Sequence, residues 1–525
     1  MTRTAKSLRR EFVISSIFMV LIVLLSGAMG IYTVSDKSLQ VAFKFTRTAL
    51  ALDSQYPGSL DWDRMFDQAV QGMMADLDRY SGYVDIHQFE QIDEERTGAY
   101  SGIGVSVVGD DRGLLIMSVR EGGPAAERGV LSGDIILKAD SIHLNTVPIV
   151  RASDYLRGPD GTEVKLSVLR PVSGDTTEID ITRRKLELLH IPFAGYTPDS
   201  MVYIRLLDFD AGASESVEAA IDSLITKRPK RSLGIILDLR GNPGGQLYEA
   251  YKTADLFLED GKLIVGTQGR SRWNSEQYEA TDDDKTDGLP MAVLVDQGSA
   301  SASEIVAGAL KQNNRAILVG DTTFGKGLVQ GFNRFDDGSG LRLTTSRYYL
   351  EGNLFLNEFD STLIDTGRGL VPNYPIHFVE RDHYPRWLEQ SLLLHEFAAS
   401  HEDEILGISQ GFSLGDEWVQ RFNAFLGEEK AFYRSLQSEQ AQLMADLAIF
   451  EGQSAKVRRA ITELANISLA HDSLSAKYYG NYITMRLAQL AWERKFGTSR
   501  AYSEVTIRQK PEIAYASQLL RERKR

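Results

Sequence analysis

Apolar positions along this chain recur in several rhythms, and each predicts a different kind of element. Over residues 38–52 and 62–77 they return every three to four positions, through Leu39, Phe43, Phe45 and Leu50, then Met65, Val70, Met73 and Met74. That spacing predicts two helices. From residue 98 to 184 the pattern changes to short runs (GIGVSVV, LLIMSV, DIILKAD, VKLSVLRP) separated by Gly-rich turns, which predicts a β-rich domain. From residue 191 onward apolar runs such as GIILDL, MAVLV and RAILVGD alternate with helical stretches, among them residues 214–226, which carry Val217, Ile221 and Leu224. Strands alternating with helices predict a mostly parallel sheet. Past residue 385 helical spacing returns, with Trp387, Leu394 and Phe397 and later Ile483, Leu487 and Leu490.

The N-terminus adds a compartment. Arg3, Lys6, Arg9 and Arg10 precede residues 12–34, which carry no charge. A helix of that length spans roughly 35 Å, enough to cross a bilayer. The basic flank would stay cytoplasmic and the remaining chain would lie outside. The alternative is a cleaved signal peptide, with Ser26, Gly27 and Ala28 as small residues near its end. The uninterrupted length favours a retained anchor, so the expectation is a single-pass protein of the cell membrane with its main part extracytoplasmic, in the periplasm. These shifts divide the chain into residues 1–35, an N-terminal helical segment 36–97, the β-rich domain 98–184, an α/β core 185–380 and a helical region 381–525. Residues 260–288 are polar and are expected to be an exposed insertion rimming the cleft.

Composition narrows the chemistry. The 525 residues are 43% hydrophobic and 25% charged, ordinary for a folded protein. A formal net charge of −14 argues against nucleic acid as a partner. The absence of cysteine removes a thiol nucleophile, disulfides and thiolate metal sites. The eight histidines show no H-x-x-x-H pairing, so neither a metal nor a cofactor is expected.

What remains is Ser301. It lies where the run MAVLV passes through DQG into SASASEIVAGAL, in the first turn of a predicted helix whose free N–H groups favour a developing negative charge. A purely structural reading is available, because Ser301 and Glu304 fit a capping box. Lys326 shifts the balance. It stands 25 positions on (326 − 301), between two glycines and just after a predicted buried strand. Burial there would lower the pKa of the amine, and a neutral amine can take the proton of a serine hydroxyl. Gln330, four positions further, could orient that amine. Residues 320–327 also spell G-x-x-x-x-G-K-G, one residue short of a phosphate-binding loop. Strand-like LVQGF follows where a helix should open, so nucleotide binding is disfavoured.

SASASEIVAGAL, with FGKG 25 residues after its middle serine and Gln four beyond the lysine, resembles the carboxyl-terminal processing proteases, Ser–Lys peptidases with an embedded PDZ domain. Further pieces agree in order over residues 60–377: LDRYSGYVDIHQFEQI, the PDZ-like GGPAAERGVLSGDIILKAD, DLRGNPGG, and the closing GLRLTTSRYYL and GRGLVPNYPI. The resemblance implies a multidomain α/β protein in which a PDZ domain precedes a crotonase/Clp-like peptidase core. It implies Ser301 as nucleophile, Lys326 as general base and Gln330 as the residue holding the lysine. The oxyanion hole would be the N–H of Ala302 with that of Gly244 or Gly245. Ser101, Gly102, Ile103 and Gly104 match the PDZ loop that receives a peptide carboxylate, and Arg157 is a candidate contact between PDZ domain and core. Asn373 stands where the family usually has Asp. The expected substrates are polypeptides with exposed C-termini. The competing class is a PDZ scaffold whose peptidase core only binds peptides. For the region after residue 385 the expectation is packing, homo-oligomer formation or adaptor docking.

Overall fold

A computed structural model describes residues 37–86, 88, 89, 92, 99–171, 173–227, 232–270, 275–351, 354, 355, 369–408 and 414–523. The chain forms two compact units, residues 1–76 and 77–525. The first holds the helices Lys37–Gln55 and Trp62–Met74, neither of which buries a residue. Asp61 caps the second by accepting the N–H of Arg64 at 3.1 Å. Among the described residues no helix is long and apolar enough to cross a membrane, and the expected span at residues 12–34 lies outside them.

In the second unit the short β runs close into an antiparallel sheet. Its order is Val105–Asp110, Gly113–Val119, Ile135–Ala139, Glu163–Arg170 and Asp175–Thr182, so Val105–Asp110 is an edge strand. Leu114, Ile116, Ile136, Leu166 and Ile181 alternate inward and fill its core.

The α/β core has two sheets. The first orders Phe193–Tyr196, Val202–Arg205, Ile235–Asp238, Met291–Val295, Ala316–Gly320 and Tyr374–Pro375, parallel after the first pair. Its middle strands are apolar on both sides because both faces are covered. Helices Ala213–Ile221, Leu247–Asp255 and Ala302–Gln312 pack on one face. The other face receives Ile513, Ala516 and Leu520 of the last helix, Pro511–Arg523. The helical region thus returns its final helix to the peptidase sheet.

The second sheet is antiparallel and built around the long strand Gly340–Leu350, which pairs with Gly82–Val84, Leu263–Gly269, Leu328–Arg334 and Leu354–Phe355. Residues 260–288 depart here from the expectation of an exposed insertion. Ile264 and Val265 within them are fully buried, because their strand lies between Gly340–Leu350 and Gln277–Glu279. The apolar run LIV is short and its polar neighbours mask it. Residues 383–509 build a separate helical core around Phe397, Trp418, Phe422, Ile483 and Leu487. That region also touches the PDZ-like domain through Arg112–Glu396 at 2.9 Å and Arg494–Asp134 at 3.7 Å.

Candidate active site

Ser301 is not inside the helix but at its N-cap, with φ 55° and ψ −113°. Such a conformation costs a non-glycine residue about 1–3 kcal/mol and persists only where the surroundings impose it. Here they do. The carboxylate of Glu304 accepts the Ser301 N–H at 2.9 Å, and the 301 carbonyl accepts the hydroxyl of Tyr348 at 3.1 Å.

The turn of residues 241–245, leaving strand Ile235–Asp238, comes up against the same place. A Cβ on Gly244 would lie 2.8 Å from the Ser301 Cβ and 2.9 Å from the Ala302 nitrogen, so only glycine fits there. Asn242, fully buried, organises the contact: its backbone carbonyl accepts the Ala300 N–H at 3.1 Å and the Ser303 hydroxyl at 2.9 Å. Its side-chain oxygen accepts the Gly244 N–H at 2.9 Å. With the Gly244 N–H engaged, Gly245 is the better candidate donor, and Gly245 together with Ala302 lines the cavity in front of Ser301.

That cavity, about 600 Å³, is also lined by Lys326 and Gln330. Three residues spread over 30 positions therefore share one space. Lys326 ends a loop that leads into strand Leu328–Arg334, not into a helix, so the phosphate-loop geometry is absent. Burial holds the Lys326 amine below the usual lysine range, and Arg342 nearby pushes the same way against the pull of Glu304. Its Nζ lies 5.0 Å from the centre of the Tyr80 ring. Gln330 sits at a bulge in its strand, with Nε2 buried and without a hydrogen-bond partner among the described residues.

Glu304, which the sequence presents only as half of a capping box, reaches further than the helix start. Besides Ser301 it accepts the Thr323 hydroxyl at 2.5 Å, the Gly325 N–H at 2.7 Å and the Lys326 N–H at 2.8 Å. One fully buried carboxylate therefore ties the serine backbone to the lysine loop. Burial raises its pKa despite these four donors. Tyr348 makes the second tie, since its hydroxyl also reaches the Lys326 carbonyl.

The PDZ-like loop is less simple. Ile103 is buried in the domain core and Ser101 Oγ is buried without a partner among the described residues, so the backbone of residues 102–104 is what is suited to face a ligand. Arg157 lies with its guanidinium 5.6 Å from the ring centre of Tyr100, beside that loop, and its backbone bridges to Gly102. Asn373, the departure noted above, accepts the Leu318 N–H at 2.9 Å through its side-chain oxygen, a role Asn fills as well as Asp.

A PDZ domain followed by an α/β core of this kind defines a class of serine peptidase, and comparison with known proteins assigns the chain within it. Residues 101–182 match the PDZ domain and residues 200–358 match peptidase family S41. The carboxy-terminal-processing protease of Bartonella bacilliformis is 36% identical over 298 residues, 56% of this chain and 68% of that protein. The carboxy-terminal processing protease CtpA of Bacillus subtilis is 33% identical over 306 residues, 58% of this chain and 64% of its own length. The structure of a photosystem II D1 C-terminal processing protease aligns with 64% of this chain and 86% of that one, at 24% identity and a TM-score of 0.39. The chain belongs to the carboxy-terminal processing proteases of peptidase family S41 and is a serine peptidase.

Proposed function

We propose that this chain cleaves polypeptides through a Ser301–Lys326 dyad, on the outer side of a membrane to which residues 12–34 anchor it. The observation that carries the reading is the shared cavity, which a strained serine and an amine with a lowered pKa both line. In the first step the neutral Lys326 amine takes the Ser301 hydroxyl proton as Oγ attacks the scissile carbonyl carbon. The N–H groups of Ala302 and Gly245 receive the oxyanion. The Lys326 ammonium then protonates the departing amine, leaving an acyl ester on Ser301. Water that gives its proton to Lys326 hydrolyses that ester and restores the serine. Gln330, which lines the same cavity, is the residue assigned to orient the amine. No metal enters the scheme.

Substrate selection rests on the PDZ domain. Among the described residues strand Val105–Asp110 has a partner on one side only, so an extended peptide could add to its open edge with its carboxylate at residues 102–104. The substrates are accordingly polypeptides with accessible C-terminal tails. Export is supported by the basic residues before position 12 and the uncharged stretch that follows. The test is casein cleavage by a Ser301→Ala protein. Complete loss with an unchanged circular dichroism spectrum is expected, and residual turnover above a few per cent would remove Ser301 from the role.

A further inference from the structure

The turn that carries the oxyanion donor Gly245 is gripped from behind by the helical C-terminal region, at two points that do not line the cavity. The first is Arg240, the residue before the turn. Its guanidinium meets Asp238 at 2.6 and 2.9 Å and, on its other edge, Glu512 of the final helix. Asp238 also accepts the Tyr203 hydroxyl at 2.6 Å and faces Arg205 at 3.4 Å, while Lys510 pairs with Glu380 and lies 3.7 Å from Glu512. Three cations and three anions thus close a mostly buried set, two of the anions coming from beyond residue 379.

The second grip is Asp296, in the loop between strand Met291–Val295 and Ser301. Its Oδ1 accepts the Gly241 N–H at 2.7 Å and the Gly298 N–H at 2.9 Å, and its Oδ2 meets Arg381 at 2.6 Å. Arg381 begins the helical region. The two grips share a surface, since Arg240 and Arg381 lie 5.2 and 6.0 Å from the ring centre of Phe378.

Buried ion sets are often only structural, and removing one partner mainly costs stability. What separates this one is its target. Arg240 precedes and Gly241 opens a turn with positive φ at residues 241, 244 and 245, which packs Gly244 against the serine and leaves Gly245 lining the cavity beside it. Displacing a group that acts in the transition state by a fraction of an ångström costs rate before it costs folding.

We propose that Arg381 and Glu512 are positioning residues for the oxyanion turn, so that docking of the helical C-terminal region on the core sets the turnover rate. The inference rests on the reading of Ala302 and Gly245 as oxyanion donors. It makes the region after residue 379 a working part of the catalytic turn.

The test uses full-length protein carrying Arg381→Gln, Arg381→Lys or Glu512→Gln. Measured are kcat and KM on a peptide substrate, the thermal midpoint, and affinity for a peptide boronate, whose adduct on serine places an oxygen in the oxyanion position. Arg381 is partly exposed, so its Gln variant should fold. For Arg381→Gln we expect kcat down about 10- to 100-fold, KM within twofold, boronate affinity weakened in proportion to kcat, and substantial recovery in Arg381→Lys. Glu512→Gln should behave alike, with a larger drop in thermal midpoint. Wild-type kcat and boronate affinity in Arg381→Gln would overturn the proposal. So would a loss of kcat that the boronate does not follow. If the wild-type protein binds the boronate no better than the matching carboxylic acid, the oxyanion reading itself fails, whatever the variants do.

Discussion

The parallel and antiparallel sheets of the peptidase core contribute different halves of the site. The parallel sheet delivers Ser301 and the turn of residues 241–245 at the carboxyl ends of its strands, where open α/β sheets place their sites. The long strand Gly340–Leu350 and its partner Leu328–Arg334 carry the other half, with Gln330 in the strand and Lys326 just before it. The first half is stiff, because residues 291–295 and 302–310 are buried throughout. The second is partly open, and its chemistry depends on how far the lysine is shielded. Ser301 and Lys326 are therefore not neighbours on one rigid element. They are held in register by Glu304 and Tyr348, which join the serine backbone to the lysine loop.

Breaking those ties should separate the halves without touching either reacting group. Glu304→Gln keeps the size of the side chain but loses two of its acceptor contacts. We expect kcat to fall about 100-fold with KM little changed, alongside about 1–3 kcal/mol of lost stability for buried donors left unpaired. Tyr348→Phe removes one hydroxyl and should cost nearer tenfold. Steady-state kinetics beside urea unfolding measure both. Wild-type kcat in Glu304→Gln would show that the halves stay aligned without it.

The same contrast governs what the sequence makes legible. That Ser301, Lys326 and Gln330 meet at one cavity can be anticipated from local signals (a helix start, a lysine between glycines, a glutamine four positions on) together with the family resemblance. The ties cannot. Glu304 looks like half of a capping box, and nothing in its neighbours points to Thr323 or Gly325 some 20 residues on. Tyr348 is an unremarked aromatic in a closing strand, although its hydroxyl meets both halves. Arg240 and Glu512 are 272 positions apart, so their contact has no local trace. Residues 260–288 mislead for the opposite reason: three apolar residues among many polar ones do not announce a strand buried on both sides. In the PDZ domain the Gly-rich loop was visible, but the inward turn of Ile103 was not. A charged residue at 103 would therefore damage that domain's core before it tested peptide binding.

Smaller shifts should appear in pH dependence, and their signs differ. Arg342 helps to hold the Lys326 amine low, so Arg342→Ala lets its pKa rise. The neutral base then exists only at higher pH, and the acid limb of the kcat/KM profile moves to higher pH. Tyr80 acts oppositely, because its ring favours the ammonium form. Tyr80→Leu should move the limb down by a similar or smaller amount. Shifts in the same direction for both variants would contradict this assignment of forces.

The most direct measurement is the pH dependence of the acylation rate of Ser301 by a peptide ester, followed in a single turnover in wild-type and Lys326→Ala proteins. The account predicts that the wild-type rate rises through one ionisation below the ordinary lysine value of about 10.4. It predicts that this ionisation vanishes in Lys326→Ala, together with nearly all of the rate. An acid limb that persists unchanged without Lys326 would show that another group takes the proton of Ser301.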